Sequence, residues 1–540
     1  MPRLNFYPED HPDITYSDAF FLPQNPIEDQ VKESADDSER TTLIALEQAA
    51  SHLEGQELLK AQSLYFGYIM ELASKYTIGR QISRDDIDFA SPDALGNPTP
   101  IVMANMNKTT GARAAEAAAR MGGIAAIPQD KEDGDLRSIA EYLGSRTKYP
   151  TAISVTTDMT VGQLRRLFRK RPMNKAVVTN SDGRFIGIVN EEYIKGVDEN
   201  KTLERFVHRS DMVLGTDGIL PIEALRTMNE SHVSFLPVLT TDERVLGAYT
   251  QKGAAYAHRY NANEGVNGGL AFLPTIGALN NNPLERLKLA VELGAKGIVL
   301  DTANFDQGVA SYENLAIARD YIEKEVQRKI PIIAGNIVTR EGVRRALSAG
   351  ADIVKIGIGP GAMCSTRRET GVGRPQLSAV MECADEAERF GKHIWADGGI
   401  EDPRDAALAL AYASQVIIGS MFAPTIESPA DLHTDDKGRI YAINMGMAAR
   451  QSSELRSTSA AQKEGNASMV RHILGHRSEG VQSRVYQRDG RESVADIMHW
   501  IMDGVSSSMS YAMAHNLKEF NQNAVIGIQM ASGYQEGLPK

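Results

Sequence analysis

The chain has 540 residues, of which 42% are hydrophobic and 24% charged, with a formal net charge of −12. This length allows a large core and more than one domain, while the acidic balance argues against a nucleic-acid partner. Two cysteines cannot form a disulfide framework, and no zinc-ligand spacing, secretion signal or apolar stretch of membrane-spanning length occurs. We therefore expect a soluble, cytoplasmic protein without nucleic-acid or membrane partners.

Eight short apolar runs, each followed by a helical pattern, predict parallel strands that are buried on both faces. They cover residues 100–104, 123–127, 270–273, 297–300, 331–334, 352–356, 393–396 and 415–418. Eight strand–helix units are the number found in a TIM (β/α)8 barrel. We predict an α/β fold of this class, with an open doubly wound sheet as the alternative.

The gap between the second and third runs, about residues 147–262, is too long for a strand–helix connection and indicates an inserted domain. It contains a repeat, because Ala176–Val189 aligns with Leu236–Tyr249, 60 residues further on. Each copy predicts a hairpin preceded by a helix, and the pair resembles a CBS (Bateman) module. The usual acidic ribose ligand is replaced by Tyr193 and Gly253. We keep as a hypothesis that this module binds a purine nucleotide effector. The alternative is a structural repeat that binds no ligand.

The catalytic barrel would then comprise residues 1–146 and 263–540. A helical, acidic stretch over Thr41–Tyr76 indicates a further insertion at about residues 26–97, to which we assign no function. After the eighth run, residues 427–490 are rich in glycine and serine and predict a long irregular segment, which is typical of a mobile flap over an active site. A helix is predicted from Val494 to Asn516.

In a TIM barrel the residues just beyond the strands converge on one mouth. Those residues are Asn105, Gln129, Asp301, Asn336, the loop that carries Cys364, Asp397-Gly398-Gly399 and Gly419-Ser420. Glycines after the last two strands allow backbone N–H groups to approach an anion, which predicts a phosphate site. Asp397 could accept hydrogen bonds from ribose hydroxyls or cap the next helix. Asp301 and Asn336 could instead satisfy backbone groups.

Cys364 is the candidate nucleophile. Three glycines and a proline precede it in Gly357–Met363, a composition that predicts a loop with exposed backbone groups. Such a loop presents the sulfur to a ligand, and loop amides together with Arg367 could lower the pKa of the thiol. Cys383, by contrast, lies in a predicted helix and is expected in the core. A thiol beside a phosphate site suggests covalent catalysis on a nucleotide base or sugar phosphate.

The stretch Gly357–Val380, with Cys364-Ser365-Thr366-Arg367 at its centre, resembles the signature of the IMP dehydrogenase and GMP reductase superfamily. Further segments are similar to family motifs in family order: Asp301–Asn304, Gly335–Thr339, Ala396–Ile400 and Glu479–Val481. The resemblance implies a TIM barrel, which agrees with the count of eight runs. It also places the CBS-like pair where IMP dehydrogenases carry theirs.

Within the superfamily, Thr370–Gly373 and Pro375–Ser378 are similar to GMP reductase. IMP dehydrogenases carry an Arg-Tyr pair in the flap, where the arginine activates water, and no such pair occurs between Glu427 and Gly490. The resemblance therefore implies NADPH-dependent reductive deamination of GMP to IMP and ammonia, in purine salvage. Two alternatives stay open: an IMP dehydrogenase that oxidises IMP to XMP with NAD, and a non-catalytic, CBS-regulated nucleotide-binding protein.

The resemblance also implies residue roles and an oligomer. Cys364 would attack C2 of guanine, with Thr366 and Glu479 as the proton relay to the departing amine. Substrate would be held by Asp397, Gly398, Gly399, Gly419, Ser420, Gly446 and Met447; cofactor by Asp301, Asn304 and Asn336; and K⁺ by carbonyls of Gly359, Gly361 and Cys364. We expect a homotetramer or homooctamer.

Four departures from the family pattern bear on affinity and cofactor preference. Ala362 replaces a serine that often touches the phosphate, and Phe305 stands where reductases usually have glycine. Gln129 stands where a lysine near the cofactor is common. The segment Ile443–Met447 lacks the tyrosine expected before Gly-Met.

Overall fold

The computed structural model describes residues 3–4, 13–22, 31–32, 34–51, 53, 55–75, 82–171, 173–209, 212–446 and 482–537. Eight parallel strands form a closed barrel. In chain order they are β1 (Ile101–Met103), β2 (Ile124–Ile127), β3 (Leu273–Gly277), β4 (Ile298–Asp301), β5 (Ile332–Ile337), β6 (Ile353–Ile356), β7 (His393–Asp397) and β8 (Gln415–Ile418). The predicted TIM-barrel fold is confirmed.

Seven strands overlap their predicted runs closely, and β3 is displaced. The apolar run at residues 270–273 predicted a strand there, whereas β3 begins at Leu273 and continues to Gly277. Pro274 and Thr275 interrupt the apolar pattern, although Thr275 is fully buried. The barrel closes across the inserted segment, because Leu273 of β3 pairs with Ala126 of β2.

The barrel interior is filled by side chains from alternating strand positions, so it is a packed core and not a pore. They include Val102, Ile124, Leu273, Val299, Ile333, Ile353, Trp395 and Ile417. Trp395 is fully buried, and its ring N–H donates to Asp93 Oδ2 at 2.7 Å. This bond satisfies the one polar atom of the indole.

Helices that follow the strands surround the barrel. They are Ala112–Arg120, Asp133–Gly144, Pro283–Glu292, Val309–Glu325, Arg340–Ser348, Gln376–Arg389 and Pro403–Leu410, with shorter turns at Phe305–Gln307, Thr366–Thr370 and Ser420–Phe422. Cys383 lies in Gln376–Arg389 and is buried, as predicted. Burial raises the pKa of its thiol, which keeps it protonated and unreactive.

The inserted segment contains two small sheets of the same topology, which accounts for the sequence repeat. Their strands are Ser154–Thr156, Lys175–Thr179 and Phe185–Asn190 in the first, and Gly215–Thr216, Phe235–Leu239 and Val245–Thr250 in the second. In each sheet the first pair is parallel and the second pair is an antiparallel hairpin. The helical elements are Val161–Phe168, Glu191–Ile194, Leu203–Phe206, Pro221–Glu230 and Gln251–Arg259. The assignment to the CBS class and the effector stay predictions.

The segment after β8 is more regular than predicted. Strands Leu432–Thr434, Ile440–Met445 and Gln482–Tyr486 form an antiparallel sheet, so the expectation of an irregular segment over 427–490 is wrong for these residues. Residues 447–481 lie outside the described part of the chain. The helix that starts at Val494 ends at Tyr511 and not at Asn516, because Asn516 caps the next helix by accepting from the backbone N–H of Glu519.

The chain divides into two compact units. One contains Ser17–Phe89 and Asp503–Lys540, and the other contains Asp13–Tyr16 and Ala90–Met502. The first unit has strands Arg3–Leu4, Ala19–Leu22 and Val525–Ile528 in one sheet, and helices Asp37–Ala50, Gly55–Lys75, Leu517–Asn523 and Ala531–Glu536. The stretch predicted as helical over Thr41–Tyr76 therefore contains two helices, which pack through Leu43, Tyr65 and Ile69.

Candidate active site

The carboxyl ends of the barrel strands open into one cavity of about 1630 Å³. Every strand contributes to its lining, which includes Asn105, Gln129, Gly277, Asp301, Asn336, Cys364, Asp397 and Gly419. The convergence of polar strand ends that the sequence predicted is thus present. A site for one drug-sized ligand usually measures about 300–1,000 Å³. This cavity has room for a nucleotide and a second ligand beside it.

Cys364 lies between β6 and the short helix Thr366–Thr370. Its thiol is free and exposed, and Sγ donates to the hydroxyl of Thr366 at a distance of 3.2 Å. The Cys364 N–H donates to the carbonyl of Gly361 at 2.9 Å and closes the turn. Gly359 has a φ of 82°, where a side chain would also collide with the stem of Arg367. Glycine is required there, and the turn holds the sulfur at the cavity surface.

A buried lysine joins the acidic residues at the base of the cavity. Lys355 of β6 is 2% exposed, and its Nζ lies 2.8 Å from Asp301 Oδ1 and 2.7 Å from Asp397 Oδ2. It also donates to the side-chain oxygen of Asn336. Burial alone would lower the pKa of Lys355, but Asp301 and Asp397 together raise it above its usual range. Lys355 is therefore a permanent cation beneath the cavity.

Lys355 is not among the site residues predicted from the sequence, although the sequence contains a signal for it. A lysine inside the otherwise apolar strand β6 is buried on both sides, and a buried charge needs an opposite charge beside it. Candidate partners are the carboxylates that end neighbouring strands, and these are Asp301 in β4 and Asp397 in β7. A search for such pairs would have identified the network.

The polar residues predicted for separate subsites form one connected network. The amide nitrogen of Asn336 donates to Asp397 Oδ2 at 2.9 Å and to the carbonyl of Gly357. Asn105 donates to Asp301 Oδ2 at 3.2 Å. The side-chain contacts to Asp397 use Oδ2, and Asp397 lines the cavity. Asp397 does not cap the next helix, because Asp402 does so.

The loops after β7 and β8 lie side by side, since Asp397 pairs with Ile417 in the barrel. Gly398 and Gly399 have φ values of 88° and 77°, a left-handed conformation that favours glycine. A Cβ on Gly419 would approach Met106 Sδ to 2.7 Å, so a larger residue is excluded there as well. Ser420 starts the turn Ser420–Phe422. Backbone N–H groups of both loops can therefore approach a bound anion closely.

The remaining predicted site residues have mixed outcomes. Gly446 lines the cavity, whereas Met447 and Glu479 lie outside the described residues. Asn304 does not belong to the cavity lining in the described part of the chain; its side chain accepts from the Asp306 N–H at 3.2 Å and caps the turn that follows. Its cofactor role stays a prediction.

Two of the departures from the family pattern have a structural explanation. Phe305 is fully buried and packs edge-on against Tyr312 with ring centroids 5.4 Å apart, so its bulk points into the core. Gln129 lines the cavity, and a Cβ on Gly277 would come within 2.9 Å of its Oε1. The glycine that ends β3 thus makes room for Gln129.

Neutral carbonyls are the ligands that replace the hydration shell of K⁺, so the carbonyls of Gly359, Gly361 and Cys364 fit the predicted ion in chemical type. The Gly361 carbonyl already accepts one hydrogen bond, from Cys364, and the site stays a prediction. In the described ranges, no group of three or more His, Cys, Asp or Glu residues could hold a metal ion. No helix among those residues is long and apolar enough to cross a membrane.

The profile of the IMP dehydrogenase / GMP reductase domain matches residues 86–540. The chain belongs to this family. Its relatives include the GMP reductase of Mycobacterium bovis, 36% identical over 460 residues, or 85% of this chain and 93% of the relative. They also include the IMP dehydrogenase of Aquifex aeolicus, 30% identical over 446 residues, or 81% and 87%. The IMP dehydrogenase / GMP reductase family comprises oxidoreductases that act on purine nucleotides.

The fold of this family member is similar to that of a solved relative. The GMP reductase from Trypanosoma brucei, in complex with guanosine 5′-monophosphate, superimposes with a TM-score of 0.61 at 22% identity and covers 98% of both chains. The family match begins at residue 86. The helices Asp37–Ala50 and Gly55–Lys75 therefore lie outside the residues that the family profile matches.

Proposed function

We propose that this protein is a GMP reductase, which converts GMP to IMP and ammonia with NADPH. The observation that carries the proposal is the free Cys364 thiol, hydrogen-bonded to Thr366 at 3.2 Å in the cavity. The reductase branch is supported by the higher identity to GMP reductases, 36% against 30% for the dehydrogenases. It is also supported by the absence of an Arg-Tyr pair from residues 427–490 of the sequence.

Substrate binding follows from the two glycine loops and Asp397. The phosphate of GMP would accept hydrogen bonds from backbone N–H groups at Gly399, Gly419 and Ser420. The N–H of Gly398 donates to the carbonyl of Ile417 at 3.3 Å, so Gly398 would contribute its compact backbone to the phosphate site. The carboxylate of Asp397 would accept from ribose hydroxyls, while its ion pair with Lys355 at 2.7 Å holds it in place. Held at both ends, the nucleotide would direct its base toward Cys364, and a fixed geometry of this kind lowers the entropic part of the barrier.

In the chemical step, the Cys364 thiolate adds to C2 of guanine. Nitrogen leaves poorly as an anion, so Thr366 and Glu479 would pass a proton to the C2 amino group, which departs as ammonia. NADPH supplies, when bound, the hydride that reaches C2, and Asp301 and Asn336 would face it. The C–S bond then breaks and Cys364 leaves as thiolate. GMP, NADPH and one proton give IMP, ammonia and NADP⁺.

Two parallel assays test the proposal. The protein is incubated with GMP and NADPH, and separately with IMP and NAD, while absorbance and ammonia are followed. We expect NADPH oxidation with one ammonia per turnover. NADH formation from IMP would instead identify a dehydrogenase.

The variant Cys364→Ala is the matched control for both assays. We expect it to bind GMP in calorimetry and to lose turnover by three orders of magnitude or more, on the order of the losses seen when other enzymes lose their nucleophile. Binding without turnover in both the wild-type protein and the variant would favour the non-catalytic alternative.

A further inference from the structure

We propose that the helix Gly55–Lys75 is a contact surface for a second copy of this chain. One face of this helix packs within its own unit through Tyr65, Ile69 and Leu72. A second face exposes Leu59, Phe66 and Met70, which are 66%, 56% and 58% accessible. The helix lies outside residues 86–540, which match the family profile, so the family assignment does not rest on this surface.

Three of the four exposed large apolar residues of this helix, Leu59, Phe66 and Met70, lie on one regular stripe, to which the small Ser63 also belongs. Leu59, Ser63, Phe66 and Met70 follow one another at intervals of four, three and four residues. This spacing keeps side chains on one face of a helix and is the spacing of a coiled-coil seam. Single exposed hydrophobic residues are ordinary on protein surfaces, whereas a continuous apolar stripe marks an interaction site. The stripe therefore predicts a partner helix.

The stripe is complementary to itself in antiparallel packing. When two copies of the helix meet across a two-fold axis, Leu59 faces Met70 of the other copy, and Ser63 faces Phe66. The large ring thus lies opposite a small residue. Gly67, beside Phe66, has open space where a Cβ would stand, with no atom within 4 Å. An interface of this kind uses the same patch on both subunits, as two-fold dimers require.

In the same antiparallel arrangement, opposite charges beside the stripe of one helix face each other across the two copies. Lys60 follows Leu59 and Glu71 follows Met70, so both lie on the same flank and at facing levels of the two helices. Both are exposed, and neither forms an ion pair with another described residue. Lys60 of one copy would therefore meet Glu71 of the other, twice per dimer. This match favours a second copy over an unrelated partner.

The contact area sets the expected strength. A helix of 21 residues is about 30 Å long, and one seam along it covers less than the roughly 800 Å² per partner of a standard interface. We therefore expect a weak association that depends on protein concentration. The helix contact would join two protomers, or two oligomers that form through other surfaces of the chain, and so double their mass.

Sedimentation velocity of the full-length protein over a concentration series tests the proposal. We expect Phe66→Asp to weaken the concentration-dependent association at least tenfold. Ile44→Asp is the matched control, because Ile44 is 53% exposed on the adjacent helix Asp37–Ala50 and lies off the stripe, and it should leave the association unchanged. Equal effects of the two variants, no effect of Phe66→Asp, or no association of the wild-type protein would each overturn the proposal.

Charge reversal provides a second test that does not depend on removing apolar surface. Lys60→Glu and Glu71→Lys should each weaken the association, and the double variant should restore it, because the pair re-forms with its signs exchanged. Failure of the double variant to recover would refute the antiparallel register. Circular dichroism of every variant checks the fold, and the GMP reductase assay should give wild-type turnover throughout.

Discussion

At the scale of single residues, the cavity depends on one buried positive charge. Lys355 contacts two carboxylates and one amide that belong to three other strands, Asp301 in β4, Asn336 in β5 and Asp397 in β7. Removing one partner from such a buried cluster leaves uncompensated charge in a medium of low dielectric constant. The residues proposed to hold ribose and cofactor are thus oriented by a side chain that lies beneath them.

Replacing Lys355 by methionine removes the charge and keeps most of the buried stem. We expect the free energy of unfolding to fall by about 3–5 kcal/mol. The KM for GMP should rise more than kcat falls, because Asp397 loses its ion pair with Lys355 and thereby its fixed orientation. Urea denaturation at pH 7 and steady-state kinetics measure both effects. Lys392→Met is the control, since Lys392 pairs with Asp352 at 3.0 Å but is 40% exposed, and it should cost less than about 1 kcal/mol.

Thr366 is suited to an isosteric test, because valine replaces its hydroxyl by a methyl group of similar size. We expect Thr366→Val to lower kcat for GMP reduction by about 10²–10⁴ and to change KM little, since the hydroxyl acts on the departing amine. Thr370→Val is the control. Its hydroxyl donates to the Thr366 carbonyl at 2.7 Å, so that variant should lower stability more than kcat. An unchanged kcat in Thr366→Val would exclude the relay.

At the scale of elements, the two ends of the segment after β8 are tied together at Glu427. Glu427 Oε2 accepts from the N–H of Val494 at 3.0 Å, and the N–H of Ile426 donates to the carbonyl of Glu492 at 3.0 Å. Glu427 is 8% exposed, and burial raises the pKa of its carboxyl to about 7. The start of the helix Val494–Tyr511 therefore depends on a carboxyl group that titrates near neutral pH.

This group makes stability depend on pH in a defined direction. The pKa of Glu427 is about 7 in the folded protein and 4.5 as its ordinary value, so the folded state holds the proton more tightly between these values. The contribution of Glu427 to the free energy of unfolding should fall by about 3 kcal/mol as pH rises from 4.5 to 7. Glu427→Gln keeps the acceptor and removes this slope.

Urea unfolding of both proteins at pH 5 and pH 8 measures the effect. The variant should be more stable than the wild-type protein at pH 8 and not at pH 5. Glu388→Gln, at an exposed glutamate, is the control and should leave the slope intact. Parallel pH dependence in wild type and Glu427→Gln would show that other groups carry it.

The strands were predicted correctly from the sequence where a local apolar pattern decides the structure. Strands such as β6 and β8 are continuous apolar runs, and burial on both faces is what a parallel barrel requires of them. The displacement of β3 has a different cause, since Thr275 is buried in the barrel and only pairing with β4 identifies it as strand. The sheet after β8 was missed because Gln482–Tyr486 pairs with residues about forty positions earlier, beyond any local window.

At the scale of the whole molecule, the inserted segment leaves and re-enters the barrel at neighbouring points. The N–H of Leu270 donates to the carbonyl of Leu143 at 3.1 Å, and the N–H of Asn263 donates to the carbonyl of Ala119 at 2.7 Å. β2 and β3, on either side of the insertion, pair directly. The barrel can therefore close without the insertion.

Replacing residues 148–260 by a short glycine–serine linker should yield a folded barrel that keeps GMP turnover within about tenfold, because the cavity residues come from the barrel alone. Stability should decrease, since Asp496 loses its hydrogen bond from Tyr256 at 2.9 Å and its ion pair with Lys252 at 2.5 Å. Thermal unfolding and the ammonia assay measure both. A folded variant without turnover would mean that the insertion takes part in catalysis.

The sequence by itself determined the barrel, the repeat in the insertion, the loop that carries Cys364 and the family, because apolar runs, glycine loops and contiguous motifs are local signals. The tertiary structure decided the rest. Asp301, Lys355 and Asp397 are far apart in the chain, and only the closure of the barrel joins them at 2.7–2.8 Å. The division into two units and the stripe on Gly55–Lys75 likewise depend on which faces the fold buries. A lysine inside the apolar strand β6 requires an opposite charge beside it, but the closure of the barrel decides which carboxylates provide that charge.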